Sequence, residues 1–388
     1  MEYFSFKDEE LTSLGAHHTA KEIWDQPSVW ASTFQKFNRE MQEIARFRDQ
    51  VLGKSKKIIL TGAGTSAYIG YSLEGTFQRH TGITTVSIPT THLVTHPKDY
   101  LDPEQPTLVI SFARSGNSPE SVAAVKLIDQ ICVSVSHLVI TCDEKGQLAQ
   151  YPSRNNKLDF ILPAESNDKS LAMTSSYTSM LLTGLLFARL DQADSLERQV
   201  NLLVKYGEKI IREDSETLKE IAALDFDRAV FLGSGPLFGT STESSLKLQE
   251  LTDGAIICKN DSYLGFRHGP RAVIDEKTVV MFLVSCKDSV RRYERDLVLS
   301  TQKGKKALRL IGVSEYAVTG LGLDTAICFS ASDTAIDEDF LSICSVLPAQ
   351  MLGLFKSLEL GLKPDNPSVT GAISRVVEGV VIYDEDVV

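Results

Sequence analysis

Residues 57–67 read KIILTGAGTSA, which is typical of a β-strand, a glycine turn and the first residues of an α-helix. Residues 57–61 are short and mostly apolar, like a strand buried inside a sheet. Gly62 and Gly64 permit a tight turn, and the bare amide groups that open the following helix suit an anion. The stretch therefore predicts a βα unit of an α/β fold with an anion-binding turn.

The same turn also fits the pattern GxGxxA, the fingerprint of a nicotinamide dinucleotide site. That fingerprint requires an acidic residue about 20 positions later, at the end of the next strand. The next strand pattern, TTVSIP at residues 84–89, ends without an acid. We therefore predict no dinucleotide cofactor.

Strand patterns alternate with helical segments through the first half of the chain, the later ones at residues 108–111, 138–141 and 160–163. This alternation is typical of a parallel sheet covered by helices on both faces. The order then repeats, because a strand at 229–232 leads into Gly233-Ser234-Gly235, 171 positions after Gly62. We predict an α/β protein of two tandem domains, each a doubly wound, flavodoxin-like three-layer sandwich.

The first fifty residues carry the pattern of an amphipathic helix. Its apolar side chains are spaced four or three apart, at Trp30, Phe34, Phe37, Met41 and Ile44. Pro27 followed by Ser28 predicts that this helix begins there. The predicted domain limits are a helical extension at 1–51, domains at 52–205 and 206–365, and a tail at 366–388.

A second anion-binding turn is predicted in the first half, where residues 112–121 read FARSGNSPES. Ser118 and Pro119 suit the N-cap and the first position of a helix. Helix capping alone explains Ser118, but it leaves unexplained the donors that precede it, Arg114, Ser115 and Asn117. Hydroxyls, amides and one guanidinium at a helix N-terminus favour a phosphate group. The equivalent stretch of the second half, VSCKDS at 284–289, lacks the glycine and carries an acid.

The second half contains residue types suited to proton transfer. Residues 243–250 read ESSLKLQE, and Glu243, Lys247 and Glu250 are spaced four and three apart, so they share one helix face. An ordinary solvated ion pair on a helix surface has the same spacing. His268 follows in the sequence RHGP, which predicts a rigid, exposed turn. Carboxylates with a lysine and a histidine can move protons near neutral pH.

Composition narrows the class of protein. The 388 residues exceed one typical domain, and the net charge of −11 argues against nucleic acid and against a polybasic membrane patch.

The start, MEYFSFKDEELTS, has no signal-peptide pattern, and we expect no apolar run as long as a membrane span. Six scattered cysteines without CxxC predict reduced thiols in the cytoplasm. The histidine pairs at 17–18 and 92/96 have no cysteine or carboxylate cluster beside them, so we predict no metal.

Together these motifs resemble proteins with two SIS (sugar isomerase) domains, such as the isomerase part of glucosamine-6-phosphate synthase. The resemblance covers nearly the whole chain. It rests on KEI with QP at 21–27, GTS at 64–66, SG at 115–116, ESSLKLQE at 243–250 and RHGP at 267–270. Within that family, FARSGNSPES, LAMTSS at 171–176 and FRHGP look most like the galactosamine-6-phosphate deaminase/isomerase branch, also labelled tagatose-6-phosphate ketose/aldose isomerase.

The resemblance implies roles for individual residues. Glu250 matches the catalytic glutamate that moves a proton between C2 and C1, Lys247 the lysine beside it, and His268 the ring-opening histidine. In the family that histidine comes from the neighbouring subunit, which implies a homodimer. The implied substrate and phosphate contacts are Gly64, Thr65, Ser66, Arg114, Ser115, Asn117 and Ser118, with Thr174 in a loop that closes over the sugar. Glu243 and Arg375 are added as weaker candidates.

The chain also departs from the synthase pattern. Ala113-Arg114 replaces the first Ser-Gln of Ser-Gln-Ser-Gly, and Arg375 is only the nearest cation to the synthase's C-terminal lysine. The synthase takes ammonia from an N-terminal glutaminase with a nucleophilic cysteine, whereas the first cysteine here is Cys132. The resemblance therefore implies ammonia release from galactosamine 6-phosphate, giving tagatose 6-phosphate without a cofactor. A plain ketose/aldose phosphate isomerase and a non-catalytic sugar-phosphate sensor remain as alternatives.

Overall fold

A computed structural model of the chain describes residues 2–330, 335–377 and 379–383. The described residues form two compact units that are interleaved in sequence. The first unit comprises residues 29–168, 175–197, 373–377 and 379–383. The second unit comprises residues 2–28, 169–174, 198–330 and 335–372. The predicted domain limits stay a prediction.

The chain begins with a short antiparallel pair, β1 (Glu2–Tyr3) and β2 (Phe6–Lys7), and helix α1 (Asp8–Ser13). The long helix α2 (His17–Leu52) follows and contains Pro27 in its interior. The prediction that this helix begins at Pro27 is therefore wrong. Proline lacks an amide hydrogen, so the carbonyl of Ile23 loses its helical donor. The side-chain amide of Gln26 donates to that carbonyl at 3.3 Å, which compensates for the missing bond.

The apolar stripe of α2 faces the interior, as predicted. Trp30, Phe34, Phe37 and Ile44 are buried, and Met41 is half-buried. The indole Nε1 of Trp30 donates to Oγ1 of Thr178 at 2.9 Å, so the one polar atom of this large side chain is satisfied. The stripe is therefore core packing.

The sheet of the first unit is entirely parallel, with five strands among the described residues in the order β4-β3-β5-β6-β7. Its strands are β3 (Lys57–Thr61), β4 (Thr84–Ser87), β5 (Thr107–Ala113), β6 (Val135–Thr141) and β7 (Asn156–Ile161). Its helices are α3 (Thr65–Thr81), α4 (Thr90–Thr95), α5 (Pro97–Tyr100), α6 (Pro119–Ile131), α7 (Gln147–Gln150) and α8 (Ser175–Ala188). Helix α9 (Ala193–Glu213) starts in this unit. Strand β5 is buried at every position, as expected of a central parallel strand.

The second unit repeats this architecture, again with five parallel strands in its described part and the order β12-β11-β10-β8-β9. Its strands are β8 (Arg228–Leu232), β9 (Ile257–Asp261), β10 (Thr278–Leu283), β11 (Arg309–Ser314) and β12 (Thr325–Cys328). Its helices after α9 are α10 (Ser215–Ala222), α11 (Pro236–Leu251), α12 (Asp288–Thr301), α13 (Glu338–Cys344) and α14 (Leu347–Glu359). The predicted fold class is confirmed.

The duplication is visible in the backbone of the two glycine turns. Gly64 has φ 56° and ψ −128°, and Gly235 has φ 56° and ψ −129°, a conformation that favours glycine. The glycine two residues earlier is required for a different reason. A Cβ on Gly62 would lie 2.6 Å from the carbonyl carbon of Ser66, and one on Gly233 would lie 2.1 Å from the carbonyl oxygen of Leu237. Each helix therefore begins close against its strand.

Residues Glu338–Glu359 are long and apolar enough to cross a membrane, and an 18-residue window within them has a mean hydropathy of 1.4. The expectation that no apolar run reaches this length is therefore wrong. The same window is 94% buried inside the protein, which is typical of a core helix. Gln26 Nε2 donates to Oε1 of Gln350 within this segment at 2.7 Å, so the buried amide oxygen of Gln350 is paired.

Candidate active site

Helix α11 carries Glu243, Lys247 and Glu250 in the second unit. The helix starts with Pro236 directly after the Gly235 turn, which fixes its first residue. Leu248 and Leu251 are fully buried and hold the helix in the core. Helix α14 packs closely against it, since a Cβ on Gly353 would lie 2.7 Å from Cδ1 of Leu251.

Lys247 is completely buried between two carboxylates. Its Nζ lies 3.3 Å from Oε1 of Glu243 and 2.5 Å from Oε2 of Glu250. Burial by itself lowers the pKa of Lys247, but the two carboxylates outweigh it and raise the pKa above its usual value. The lysine is therefore a permanent cation, and the interpretation as a solvated surface pair is wrong.

The two glutamates differ in accessibility. The side chain of Glu243 is fully buried, whereas that of Glu250 is 23% exposed. A base that exchanges protons with a ligand has to reach that ligand. Glu250 meets this requirement, and Glu243 neutralises the other side of the ammonium.

His268 lies on an exposed turn, as predicted. A 3₁₀ helix at Gly265–Arg267 precedes it, and Gly269 follows with a φ of 116°. The buried side chains of Tyr263 and Phe266 anchor the turn, and the hydroxyl of Tyr263 donates to the carbonyl of Leu283 at 2.9 Å. Within the described chain, the imidazole of His268 forms no hydrogen bond or ion pair. The structure does not bring it onto Glu250 of the same chain.

The glycine turn of the first unit presents the start of α3. Thr65 and Ser66 are each 4% exposed and form the first residues of that helix. Gly64 is exposed and carries no side chain over the turn. No side chain of Gly64 therefore covers the backbone amides at the N-terminus of α3, and such amides bind anions at helix ends.

The loop from Ser115 to Ser118 follows β5 and opens α6. Ser118 occupies the N-cap position, but its hydroxyl donates to Oγ of Ser121 at 2.6 Å and caps no amide. Helix capping by its side chain therefore does not account for Ser118. The amide of Asn117 donates to Oγ of Ser115 at 3.2 Å, and Oδ1 of Asn117 accepts from the amide of Gln147 at 3.0 Å. These bonds hold the loop in a defined shape.

The two predicted cations Arg114 and Arg375 meet in the first unit. Arg114 is 7% exposed and donates through Nη2 to the carbonyl of Arg375. Arg375 in turn donates through Nε to the carbonyl of Asp168 at 2.9 Å and through Nη2 to Oδ1 of Asn167 at 3.0 Å. Arg114 therefore holds the C-terminal segment against its own unit.

Asp168 is a structural residue that the sequence analysis missed. It is fully buried, and its carboxylate accepts from the amides of Ser175 at 2.9 Å and Ser176 at 3.0 Å. It thereby caps α8 from seven residues away, a distance at which capping patterns in sequence give no signal. Thr174, buried in the second unit, precedes this helix.

The structure thus assembles the predicted residues as two groups. Glu243, Lys247 and Glu250 are in direct contact within the second unit. The Gly64 turn and the Ser115 loop both follow neighbouring parallel strands, β3 and β5, of the first unit. No group of three or more histidine, cysteine or acidic side chains in the described ranges is arranged to hold a metal ion.

Comparison with known proteins places the chain in a family. The SIS domain model matches residues 51–190. The D-galactosamine-6-phosphate deaminase AgaS of Shewanella sp. is 39% identical over 381 residues, which cover 97% of this chain and 94% of the relative. The chain belongs to the AgaS family of SIS-domain proteins. The AgaS deaminase of Escherichia coli is 38% identical over 376 residues, covering 94% of this chain and 95% of that protein.

A solved structure supports the same placement. The tagatose-6-phosphate ketose/aldose isomerase from Escherichia coli superposes with a TM-score of 0.87 at 35% identity, covering 95% of this chain and 97% of that one. The predicted resemblance to the galactosamine-6-phosphate deaminase/isomerase branch is confirmed. The AgaS relatives are named as amino-sugar-phosphate deaminases and the solved structure as a ketose/aldose isomerase, so the chain belongs to a family of enzymes that act on sugar phosphates.

Proposed function

We propose that this AgaS-family chain is a deaminating aldose–ketose isomerase that converts galactosamine 6-phosphate to tagatose 6-phosphate and ammonia. The observation that carries the proposal is the buried ammonium of Lys247 beside the partly exposed carboxylate of Glu250. A carboxylate held in place by a fixed cation is the group that this proton transfer needs. The names of the AgaS relatives supply the substrate.

The reaction balances with these residues alone. His268 assists opening of the sugar ring, which frees the C1 aldehyde. Glu250 removes the proton from C2 while O1 takes up a proton, giving an enolamine; Glu250 then returns its proton to C1, and the nitrogen releases one proton, which balances the proton gained by O1. The product carries an imine at C2, and water hydrolyses that imine to the ketone and ammonia. Proton abstraction next to a carbonyl is accelerated when the base is already positioned over both carbons.

Lys247 acts through Glu250. Its ammonium is buried and pairs with both glutamates. It keeps the Glu250 carboxylate oriented, and we assign it as a positioning residue. Glu243 completes the pairing and keeps the buried charge from being uncompensated.

The phosphate of the substrate is assigned to the first unit. Neutral groups there can donate hydrogen bonds to a phosphate. They are the hydroxyls of Ser66, Ser115 and Ser118 and the backbone amides at the N-termini of α3 and α6. Arg114 contributes by holding the C-terminal segment through the carbonyl of Arg375. Thr174 stays a proposed contact of the closing loop.

We further propose a cytoplasmic homodimer in which His268 serves the active site of the partner subunit. The support is its exposed turn and an imidazole that forms no hydrogen bond within the described chain. All six cysteines are free thiols, in keeping with a reducing compartment. The proposed partners include no nucleic acid and no membrane, and the reaction uses no cofactor.

The test of the reaction is ammonia release by the purified protein from galactosamine 6-phosphate and, separately, from glucosamine 6-phosphate. We expect ammonia from the galacto sugar and its loss in Glu250→Gln. Interconversion of tagatose 6-phosphate with an aldose phosphate, with no ammonia from either amino sugar, would instead establish the plain isomerase. Binding without any turnover would establish the sensor.

Subunit complementation tests the dimer. Glu250→Gln and His268→Asn chains are each expected to be inactive. After mixing and reassembly, a heterodimer contains one site with both intact residues if His268 acts across the interface. Random pairing then restores about a quarter of the sites. Recovery of no activity, although mixed dimers form, would place both residues in one chain's own site.

A further inference from the structure

The second unit contains a cavity that the proposed reaction does not use. It lies between helix α12 and the segment that follows β11, and its volume is about 340 Å³. Volumes from 300 Å³ upward are typical of sites for small ligands. Its apolar lining comes from Val284, Val298, Val318 and Leu321, and its polar lining from α12 and Thr319.

Three arginines of α12 line this cavity: Arg291, Arg292 and Arg295. Arg291 pairs with Asp288 on the same helix. Among the described residues, Arg292 and Arg295 have no hydrogen-bond or ion-pair partner, and both are exposed. Two guanidinium groups without protein partners at one cavity favour an anion with several oxygens.

The surrounding sequence is basic in an otherwise acidic protein. Residues 287–309 contain eight lysines and arginines against three acids, whereas the whole chain has a net charge of −11. A local positive field of this kind attracts anionic ligands to the cavity.

Glu294 adds a second, independent feature that indicates a ligand. It lines the cavity and is 1% exposed. Its Oε2 accepts from the amide of Ser285 at 2.9 Å, while Oε1 has no partner in the described part of the chain. Burial raises the pKa of Glu294 to about 8, so at neutral pH this is an uncharged acid. A buried polar atom without a partner is costly, and a ligand hydroxyl would satisfy it.

We propose that this cavity is a second anion site of the chain, which binds a small phosphorylated sugar or polyol. Arg292 and Arg295 hold the phosphate, a hydroxyl of the ligand pairs with Glu294, and its carbon skeleton packs on Val298 and Leu321. The proposal does not depend on the reaction assigned to Glu250.

The new site is separate from the position that corresponds to the Ser115 loop. In the second unit that position is occupied by the protein's own carboxylates. The hydroxyl of Ser285 donates to Oε1 of Glu338, whose Oε2 lies 2.7 Å from Nζ of Lys287. A phosphate at this loop would meet a negative charge, so the duplicated unit binds its anion along the side of α12.

Calorimetric titration with glycerol 3-phosphate, a phosphomonoester without an aldehyde, tests the proposal. We expect a binding event that persists in Ser115→Ala/Ser118→Ala and weakens at least ten-fold in Arg292→Ala/Arg295→Ala. Lys305→Ala, an exposed basic residue of the same segment outside the cavity, is the matched control and should leave it unchanged. Unchanged affinity in the double arginine variant would overturn the proposal.

Two further measurements test which groups of the ligand are recognised. Glu294→Gln keeps a donor and an acceptor in the same volume and should retain binding, whereas Glu294→Leu should weaken it at least ten-fold. Unchanged binding in Glu294→Leu would remove Glu294 from the site. Citrate should bind more weakly than glycerol 3-phosphate, and tighter citrate binding would overturn the phosphate assignment. The exposed arginine variants test the site even if Glu294→Leu fails to fold.

Discussion

The ammonium of Lys247 lies 2.5 Å from Oε2 of Glu250, and both side chains are largely shielded from water. Lys247 is buried, and the side chain of Glu250 is only 23% exposed. On the opposite side the same ammonium lies 3.3 Å from the buried Glu243. A positive charge so enclosed depends on both carboxylates, and the orientation of Glu250 depends on the lysine in turn.

Glu250→Gln should lower kcat by about 10²- to 10⁴-fold, because an amide cannot accept the C2 proton. The variant keeps the shape of the side chain and the second carboxylate, Glu243, so it should fold, but its melting temperature should fall below that of the wild type because buried Lys247 loses one of its two counter-charges. Ammonia release and a melting curve on the same preparation check both statements. Glu216→Gln is the matched control, since Glu216 also pairs with a lysine three residues away but is exposed. Normal turnover by Glu250→Gln would exclude it as the base.

Lys247→Met should destabilise the fold by about 3–5 kcal/mol, because it leaves buried Glu243 without its cation. Chemical denaturation of the variant measures this loss. Adding Glu243→Gln should recover part of it by removing the uncompensated charge. Lys21→Met, which breaks the exposed pair with Asp25, should cost at most about 1 kcal/mol. Wild-type stability in Lys247→Met would show that the buried pair is not needed for folding.

Asp129→Asn should destabilise the first unit, by about 1–3 kcal/mol. Asp129 accepts from the buried His137 at 2.7 Å and from Ser153 and Asn155 at 2.8 Å each. Burial raises the pKa of Asp129, but these hydrogen bonds outweigh it and lower the pKa to about 2. The stability from this carboxylate is therefore present above the unfolded pKa near 4 and is lost as the pH falls towards 2.

Denaturation of the wild type and Asp129→Asn at several pH values measures this dependence. The difference between the two proteins should be largest at neutral pH and should narrow below about pH 4. Asp99→Asn, at an exposed position, should show no such difference. A gap that stays constant down to pH 2 would contradict the role of the ionised carboxylate.

Glu294→Gln should remove a pH dependence of stability whose direction is opposite to that from Asp129. Burial raises the pKa of Glu294 to about 8, so between its unfolded value and pH 8 the folded state holds a proton that the unfolded state releases. Stability from this group is full at acidic pH and falls as the pH rises through that window. The stability of Glu294→Gln relative to the wild type should therefore increase on going from pH 5 to pH 9, by a few kcal/mol at most. If the stability difference between the variant and the wild type is the same at pH 5 and pH 9, Glu294 does not titrate between them.

Much of the fold could be predicted because its signals are local. Gly62 and Gly64 stand where a side chain would clash or where φ is positive, and the same two glycines recur 171 positions later. The strand at Lys57–Thr61 was therefore predicted with its observed limits. Pro27 shows the limit of such reasoning. A proline signals a helix start unless another group satisfies the freed carbonyl, and here Gln26 does so.

The sequence by itself determined the elements, the duplication and the spacing that puts Glu243, Lys247 and Glu250 on one helix face, because these follow from short-range geometry. Only the tertiary structure decided that this face is buried, so that a pattern typical of a surface ion pair became an enclosed charge. It also decided that Asp168 caps α8 and that Arg114 holds the carbonyl of Arg375. Burial and such distant hydrogen bonds depend on which segments pack together, and no local pattern specifies that.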